Sequence, residues 1–347
     1  MIKYIDLFCG IGGFRLAFEK ACKKNGIKNA CVFSSDIDEH ARKTYYENFK
    51  EYPCGDITKI NAADIPAHDI IFAGFPCQAF SISGKKLGFE DTRGTLFFDV
   101  ARIAKYHNPK LIVLENVKNF AGHDNGNTLK VVKKTIEDMG YLFFCEVLNA
   151  ADYGSPQKRE RIYIVAFRRD LRVSEYSFPG KRNRKVFLRS MLEKNVDIEK
   201  YAIKRNDIVL YDSKIESIRN KTIDSTHRIG TINKGGQGER IYHPNGFAIT
   251  LSAYGGGAAA KTGAYLIDGV IRKLTTRECA NIMGFPKSYK IHPLDSQAYK
   301  QFGNGVVVSV LESIFDDIIS KNYLRSDLCR TARKPQKTAL ETKTISY

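Results

Sequence analysis

Short apolar runs that end in turns and then give way to helical spacing recur along the first half of this 347-residue chain, and that alternation restricts its fold more than any other feature. Lys3-Tyr4-Ile5-Asp6-Leu7-Phe8 breaks at a glycine cluster, after which Phe14, Leu16, Ala17 and Phe18 resume on roughly helical spacing: strand, turn, helix. Residues 31–34 read as a second strand, 41–49 as a helix, and 70–73 as a strand ending at Gly74. Residues 111–114 form a continuous apolar run of the kind buried on both faces, and 128–139 follow as a helix stopped by Gly140. Strands separated by helices predict an α/β fold with a doubly wound, mostly parallel sheet.

Beyond about Phe178 the pattern changes. A basic stretch, Lys181-Arg182-Asn183-Arg184-Lys185, leads into shorter, polar, turn-rich segments that reach Gly255-Gly256-Gly257, so a second, smaller unit is expected there. Helical apolar spacing returns at 306–319, which brings the chain back onto the first unit. From Arg325 the residues are basic and polar, and 325–347 is expected to be a disordered tail. A formal net charge of +17 favours a polyanionic partner, with nucleic acid the first expectation. With no apolar run long enough to span a bilayer and no apolar leader, a soluble, cytosolic protein is expected. The 8 cysteines are scattered, with no Cys-x-x-Cys pair, which reads as individual thiols in a reduced interior and no metal site.

Asp6-Leu7-Phe8-Cys9-Gly10-Ile11-Gly12-Gly13-Phe14 puts glycines where a strand turns into a helix, and a ligand can approach backbone there that a Cβ would block. A tight structural turn is the other reading of the same residues. The next strand ends at Ser35-Asp36, where an acidic side chain would meet ribose hydroxyls. The spacing is not Gly-x-Gly-x-x-Gly, so an adenosine moiety fits better than a pyrophosphate. Asp56 is a further acceptor for an adenine amino group, or an ordinary turn aspartate.

Cys77, in Gly74-Phe75-Pro76-Cys77-Gln78, follows the carboxyl end of a strand, where ligands sit in open α/β sheets. It reads as a nucleophile, or else as buried filler. Residues 81–89 are rich in glycine and serine and suggest a closing loop. Glu115 ends a buried apolar strand, where desolvation would raise its pKa and make it an acid near neutrality; a helix cap or ion pair is the plainer reading. In Gln157-Lys158-Arg159-Glu160-Arg161, alternate strand positions aim Arg159 and Arg161 together, which suits a phosphate or the Glu115 carboxylate, unless the run is simply solvated.

The order of Asp6-Leu7-Phe8-Cys9-Gly10, Gly74-Phe75-Pro76-Cys77-Gln78, Glu115-Asn116-Val117, Gln157-Lys158-Arg159-Glu160-Arg161, Arg277-Glu278-Cys279-Ala280 and Gln301-Phe302-Gly303-Asn304 resembles the DNA cytosine-C5 methyltransferases over nearly the whole chain. The resemblance implies a fold that binds S-adenosylmethionine, with no metal, and a catalytic set of Cys77, Glu115, Arg159 and Arg161. Cys77 would attack C6 of a flipped-out cytosine while Glu115 protonates or hydrogen-bonds N3, and Arg161 would orient Glu115. Phe8 would stack on the adenine, Asp36 would hold the ribose and Asp56 the adenine amino group. Gly10, Ile11, Gly12, Gly13, Ile37, Ile57, Pro76, Leu96, Asn304 and Val306 complete the implied cofactor site. Two positions depart from the family pattern and bear on cofactor affinity: Gly305 stands where serine is usual, and Ile37 where an aromatic is usual.

The same resemblance implies a catalytic and cofactor-binding part at 1–188 completed by 290–324, and a target-recognition part at 189–289. Two glycine-rich segments in the latter, 234–242 and 250–257, are similar to those of members that act on GCGC, so GCGC with its first cytosine methylated is the implied target. Arg240 suits guanine O6 and N7, and Gln237 is long enough to fill the space left by a flipped base. Thr250, Ser252, Tyr254 and Gly257 would join them on the DNA, with Ser83 and Arg93 from the loop region. The implied partner is double-stranded DNA, bound by a monomer in the bacterial cytosol beside an endonuclease that acts on the same site. An RNA cytosine-C5 methyltransferase and a catalytically inactive DNA-binding relative are the alternatives. A zinc cytidine deaminase is excluded, because Pro76-Cys77 is followed by Gln78-Ala79-Phe80 rather than by a second cysteine.

Overall fold

A computed structural model of the chain describes residues 1–76, 96–218 and 220–324. The expected closing loop at 81–89, with Cys77, Ser83 and Arg93, and the expected disorder at 325–347 lie outside the described residues.

The first unit alternates as the apolar pattern predicts: β1 (Ile2–Leu7), α1 (Gly13–Lys24), β2 (Asn29–Ser35), α2 (Glu39–Phe49), β3 (Ile70–Ala73), α3 (Leu96–His107), β4 (Leu111–Val117), α4 (Asn127–Asp138), β5 (Tyr141–Asn149) and β6 (Glu160–Arg168). The six strands form one sheet in the order β2-β1-β3-β4-β6-β5. Pairs β1–β2, β1–β3 and β3–β4 are parallel, while β6 is antiparallel to both β4 and β5. The sheet is therefore mixed, with β6 alone reversed. Its connection from β5 covers residues 150–159, with a short turn at Ala150–Tyr153 and no crossover helix, and a strand can reach its neighbour over so short a link only by running back against it.

Successive side chains explain why these strands are apolar throughout. Tyr4, Ile70, Phe72, Leu111, Val113, Tyr163 and Val165 enter one core, with α1 and α9 (Val308–Ser320). Ile5, Ile71, Ala73, Ile112, Leu114, Ile162 and Ile164 enter the other, with α3 and α4. Both faces are covered, as period-two alternation in a doubly wound sheet requires. The returning helix seats on α1 through Phe18 and Phe315, whose ring centroids lie 5.2 Å apart, and through Lys24 and Asp316 at 2.6 Å.

The turn-rich region holds α5 (Ile198–Tyr201), β7 (Ile208–Leu210), α6 (Asp212–Ile218), β8 (Arg228–Ile232), β9 (Arg240–Tyr242), β10 (Ala264–Ile267) and β11 (Val270–Lys273). Its five-stranded sheet, ordered β11-β10-β9-β8-β7, has a small core around Ile229, Ile232, Ile241, Ala259 and Ala264. The chain then enters α7 (Thr276–Met283) and α8 (Asp295–Asn304), whose apolar residues join the first core. Among the described residues no helix is long and apolar enough to cross a membrane.

A buried ion pair fixes the join between the small sheet and α7. Arg272 Nη1 and Nη2 donate to Glu278 Oε2 and Oε1 at 2.8 and 2.7 Å, and the backbone N–H groups of Thr275 and Glu193 donate to the same carboxylate. Neither side chain meets solvent. Removing one partner strands the other charge, so Arg272→Leu is expected to lower the unfolding free energy by about 3–5 kcal/mol. Urea titration of Arg272→Leu and of the Arg272→Leu/Glu278→Leu double variant checks this, with the double variant expected to lose less.

Candidate active site and cofactor crevice

Strand order places the crevice. The chain leaves β1 for β2 on one side and reaches β3 on the other, so the carboxyl ends of β1 and β3 flank the topological switch point where open α/β sheets bind ligands. The glycine loop follows β1, and Gly74-Phe75-Pro76 follows β3.

The three loop glycines do different things. A Cβ on Gly12, whose φ is 77°, would lie 2.3 Å from the Phe49 ring, and one on Gly13 would lie 2.5 Å from Val306 Cγ2. Those two leave no room for a side chain because helix α1 packs tightly there, a reason for glycine that stands beside the ligand approach read from the sequence. A Cβ on Gly10, with φ 52°, would meet nothing within 4 Å. Gly10 alone faces open space in a conformation that favours glycine. Its N–H donates to Asp36 Oδ2 at 2.7 Å, while Asp38 N–H donates to Asp36 Oδ1 at 2.8 Å. Each oxygen keeps a lone pair, and burial pushes this carboxyl above the usual aspartate range.

Around Asp36 the remaining predicted residues differ in availability. Ile37 is 77% exposed, Phe8 is half-buried in a positive-φ conformation, and Leu96 is half-buried. Pro76 and Asn304 are exposed, whereas Ile11, Ile57 and Val306 are buried. Asp56 caps the short turn at Ile57–Lys59, its Oδ1 accepting from Thr58 N at 3.0 Å and Thr58 Oγ1 at 2.8 Å. An open glycine backbone, a held acidic acceptor at a strand end and an exposed apolar neighbour fit an adenosine group.

At the other end of the crevice Glu115 is 8% exposed near the end of β4. Arg161 Nε lies 3.3 Å from its Oε1. The β4–β6 register pairs Glu115 with Tyr163 and Val117 with Arg161, so the guanidinium reaches the carboxylate diagonally across the ladder. Asn116 Nδ2 donates to Phe75 O at 2.9 Å, tying this strand end to the segment that runs into Cys77, and Phe75 is wedged between Phe97 and Phe120. Burial pushes the Glu115 carboxyl up, and Arg161, then Arg159, pull it back.

Arg159 departs from expectation. It reaches neither Glu115 nor an outward position for phosphate; its hydrogen bonds go to backbone carbonyls, Nη1 to Leu251 at 3.0 Å and Nη2 to Gly303 at 3.0 Å and Gly305 at 2.8 Å. It is 2% exposed, and burial lowers its pKa to about 10, which leaves it charged near neutrality. Sequence reading missed Leu251, Gly303 and Gly305 in this setting, because backbone acceptors leave no side-chain signature. It also missed Asn116, which stood inside a quoted motif as the only other polar residue at that strand end.

The two glycine segments press on one another. A Cβ on Gly238 would lie 2.0 Å from Gly256 O, and one on Gly257 2.8 Å from Gly238 O. Gln237, Arg240, Tyr254 and Gly257 are exposed on this paired surface. Thr250 Oγ1 donates to Lys158 O at 2.7 Å, and Ser252 Oγ to Tyr254 O, so these two hydroxyls are committed within the chain.

The raised Glu115 carboxyl has a consequence for stability. The folded chain holds this proton more tightly than the unfolded chain, so the contribution is present in acid and lost as pH rises through the folded-state value. Glu115→Gln removes the titration. Its melting temperature relative to the wild type is expected to climb as pH rises above the ordinary glutamate range, and a difference that stays flat with pH would contradict a raised carboxyl.

Comparison with known proteins places this geometry. A model of the C-5 cytosine-specific DNA methylases matches residues 2–320. The chain is 55% identical over 313 residues to the type II methyltransferase M.HhaI of Haemophilus parahaemolyticus, covering 90% of this chain and 93% of that protein. It is 42% identical to the type II methyltransferase M.DsaV of Dactylococcopsis salina, covering 92% and 86%. Among solved structures, S. pombe Dnmt2 methyltransferase superposes with TM-score 0.65 at 19% identity, covering 93% of this chain and 99% of that one. A putative DNA modification methyltransferase encoded within an E. coli prophage does so at 0.66 and 20%, covering 92% and 99%. The structural likenesses show the shared mixed-sheet α/β fold.

Proposed function

The chain belongs to the C-5 cytosine-specific DNA methylase family and is a DNA cytosine-C5 methyltransferase of the type II restriction-modification kind; from that premise we propose that it methylates the first cytosine of GCGC through a covalent bond from Cys77. The observation that carries the reading is Glu115, buried against Arg161 near the carboxyl end of β4 and tied through Asn116 to the segment that leads into Cys77.

C5 of cytosine is a poor nucleophile, and addition of the Cys77 thiolate to C6 turns it into an enamine carbon. Glu115, whose hold on a proton burial strengthens, donates toward N3 as that bond forms, so negative charge does not accumulate on the ring. Arg161 holds the carboxyl in place and is the guanidinium nearest the base. S-adenosylmethionine supplies the methyl group when bound, and S-adenosylhomocysteine is its product. Gly10 and Asp36 would hold its adenosine part, with Phe8, Ile37, Asp56, Ile57, Pro76 and Leu96 around the adenine and Asn304 and Val306 toward the amino-acid part. Loss of the C5 proton and expulsion of the thiolate then restore the aromatic ring. The target must leave the helix for this chemistry, because neither ring face is open within stacked DNA.

We assign target reading to 189–289, where Gln237, Arg240, Tyr254 and Gly257 share one exposed surface, and chemistry to 1–188 with 290–324. The net charge of +17 supplies a phosphate attraction that is independent of sequence and steep in salt. The reading has the enzyme working as a monomer in the bacterial cytosol, protecting DNA from an endonuclease of the same specificity.

Cys77→Ser is expected to abolish transfer to a GCGC duplex while leaving salt-sensitive DNA binding, and 5-fluorocytosine at the target is expected to trap the wild type covalently. Tritium transfer to GCGC duplexes, to duplexes lacking the site and to transfer RNA tests substrate and site together; preference for the RNA would overturn the DNA reading. Arg240→Ala is expected to relax guanine discrimination by about 1–3 kcal/mol, read from kcat/KM on single-base variants of the site.

A further inference from the structure

Resting on the methyltransferase reading above, we propose that Arg159 is a positioning residue that couples the cofactor loop to the target-recognition loop, so that filling one site tightens the other. Two pieces of chain meet at its guanidinium, and a third contact follows from the second. The first is the recognition segment, which is stitched to the stretch before β6: Ala248 N–H donates to Pro156 O at 2.7 Å, Lys158 N–H to Ala248 O at 3.0 Å, and Arg159 Nη1 to Leu251 O at 3.0 Å. The second is the end of α8, where Gly303 and Gly305 offer their carbonyls to Nη2. Gly303 also lies directly on the recognition loop, since a Cβ there would come within 2.2 Å of Ala253 N and 2.3 Å of Ser252 C. The third is Val306, the next residue but two, which fills the space that a side chain on Gly13 of the cofactor loop would need.

A contact path therefore runs from Gly13 through Val306, Gly305 and Gly303 to Arg159, and from Arg159 to Leu251, with Thr250 and Ser252 on either side. The same guanidinium acts on Glu115 through its field. A guanidinium spreads five donors over three nitrogens in a fixed plane, so Nη1 and Nη2 serve the two segments separately; an ammonium gathers three donors on one atom and cannot match both directions as well. A shift of either loop is thus felt by the other through the donor they share, which is the route by which we expect the two sites to couple.

Calorimetric titration of the full chain with S-adenosylhomocysteine, alone and with a GCGC duplex present, gives the factor by which each ligand tightens the other. The wild type is expected to show a factor of about 5 or more. In Arg159→Met it is expected to fall toward 1, with Arg159→Lys in between, while each ligand alone binds within roughly threefold of the wild type. A merely structural role would lower melting temperature and both separate affinities together and leave the factor unchanged. Retention of the wild-type factor in folded Arg159→Lys overturns the proposal, as does a wild type that binds both ligands independently; if Arg159→Met does not fold, the lysine variant decides. A wild type that binds neither ligand defeats the functional reading, and the coupling with it.

Discussion

The crevice depends on β6 running against β4. Because β6 is reversed, its first residues lie at the carboxyl edge of the sheet, beside the end of β4. A parallel strand would have carried Arg161 to the opposite edge, a strand length from Glu115. The reversal thus converts a basic run at the start of a strand into the partner of an acid at the end of another. It also brings Arg159 to the place where recognition segment and α8 converge. One choice of strand direction sets the positions of both guanidiniums.

Much of this was legible in the chain. Strands buried on both faces announce themselves as unbroken apolar runs, and β3 and β4 begin where the sequence placed them, β4 running three residues further, through Glu115. The strand-end acid was readable for the same reason, since it follows such a run, and so was the glycine turn after β1. The direction of β6 was not read, although the evidence lay in the short link after Asn149, too short for a crossover helix. Arg159 illustrates a different limit. Its partners stand 92, 144 and 146 residues away and are carbonyl oxygens, which every residue has and no motif marks. The glycine cluster looked uniform in sequence, yet Gly12 and Gly13 answer to Phe49 and Val306 while Gly10 opens toward the crevice.

The cofactor edge combines a firm polar anchor with a soft apolar wall. Asp36 is held from both sides by backbone N–H groups, so its acceptor directions are set before anything binds. Ile37 beside it is 77% exposed and carries no ring where an aromatic is usual. On our reading, hydrogen bonds to the sugar fix orientation and the isoleucine contributes mainly area, so discrimination at this end comes from Asp36 and Gly10 more than from stacking.

Glu115 shows what such a site costs the fold. Ionising a carboxyl in a sheet core costs the fold stability, because burial disfavours the charged form more than Arg161 and Arg159 favour it. The sheet accepts this because the adjoining strands are dense with apolar contacts: Val113, Tyr163 and Val165 are buried on the same face and Phe75 is locked between two rings. Those contacts hold the acid within reach of one guanidinium and beside the strand end that precedes Cys77, in surroundings that strengthen its hold on a proton relative to an ordinary glutamate. A solvated glutamate would be ionised near neutrality and would have no proton to give, so the destabilising burial and the proposed chemistry are one physical fact seen from two sides.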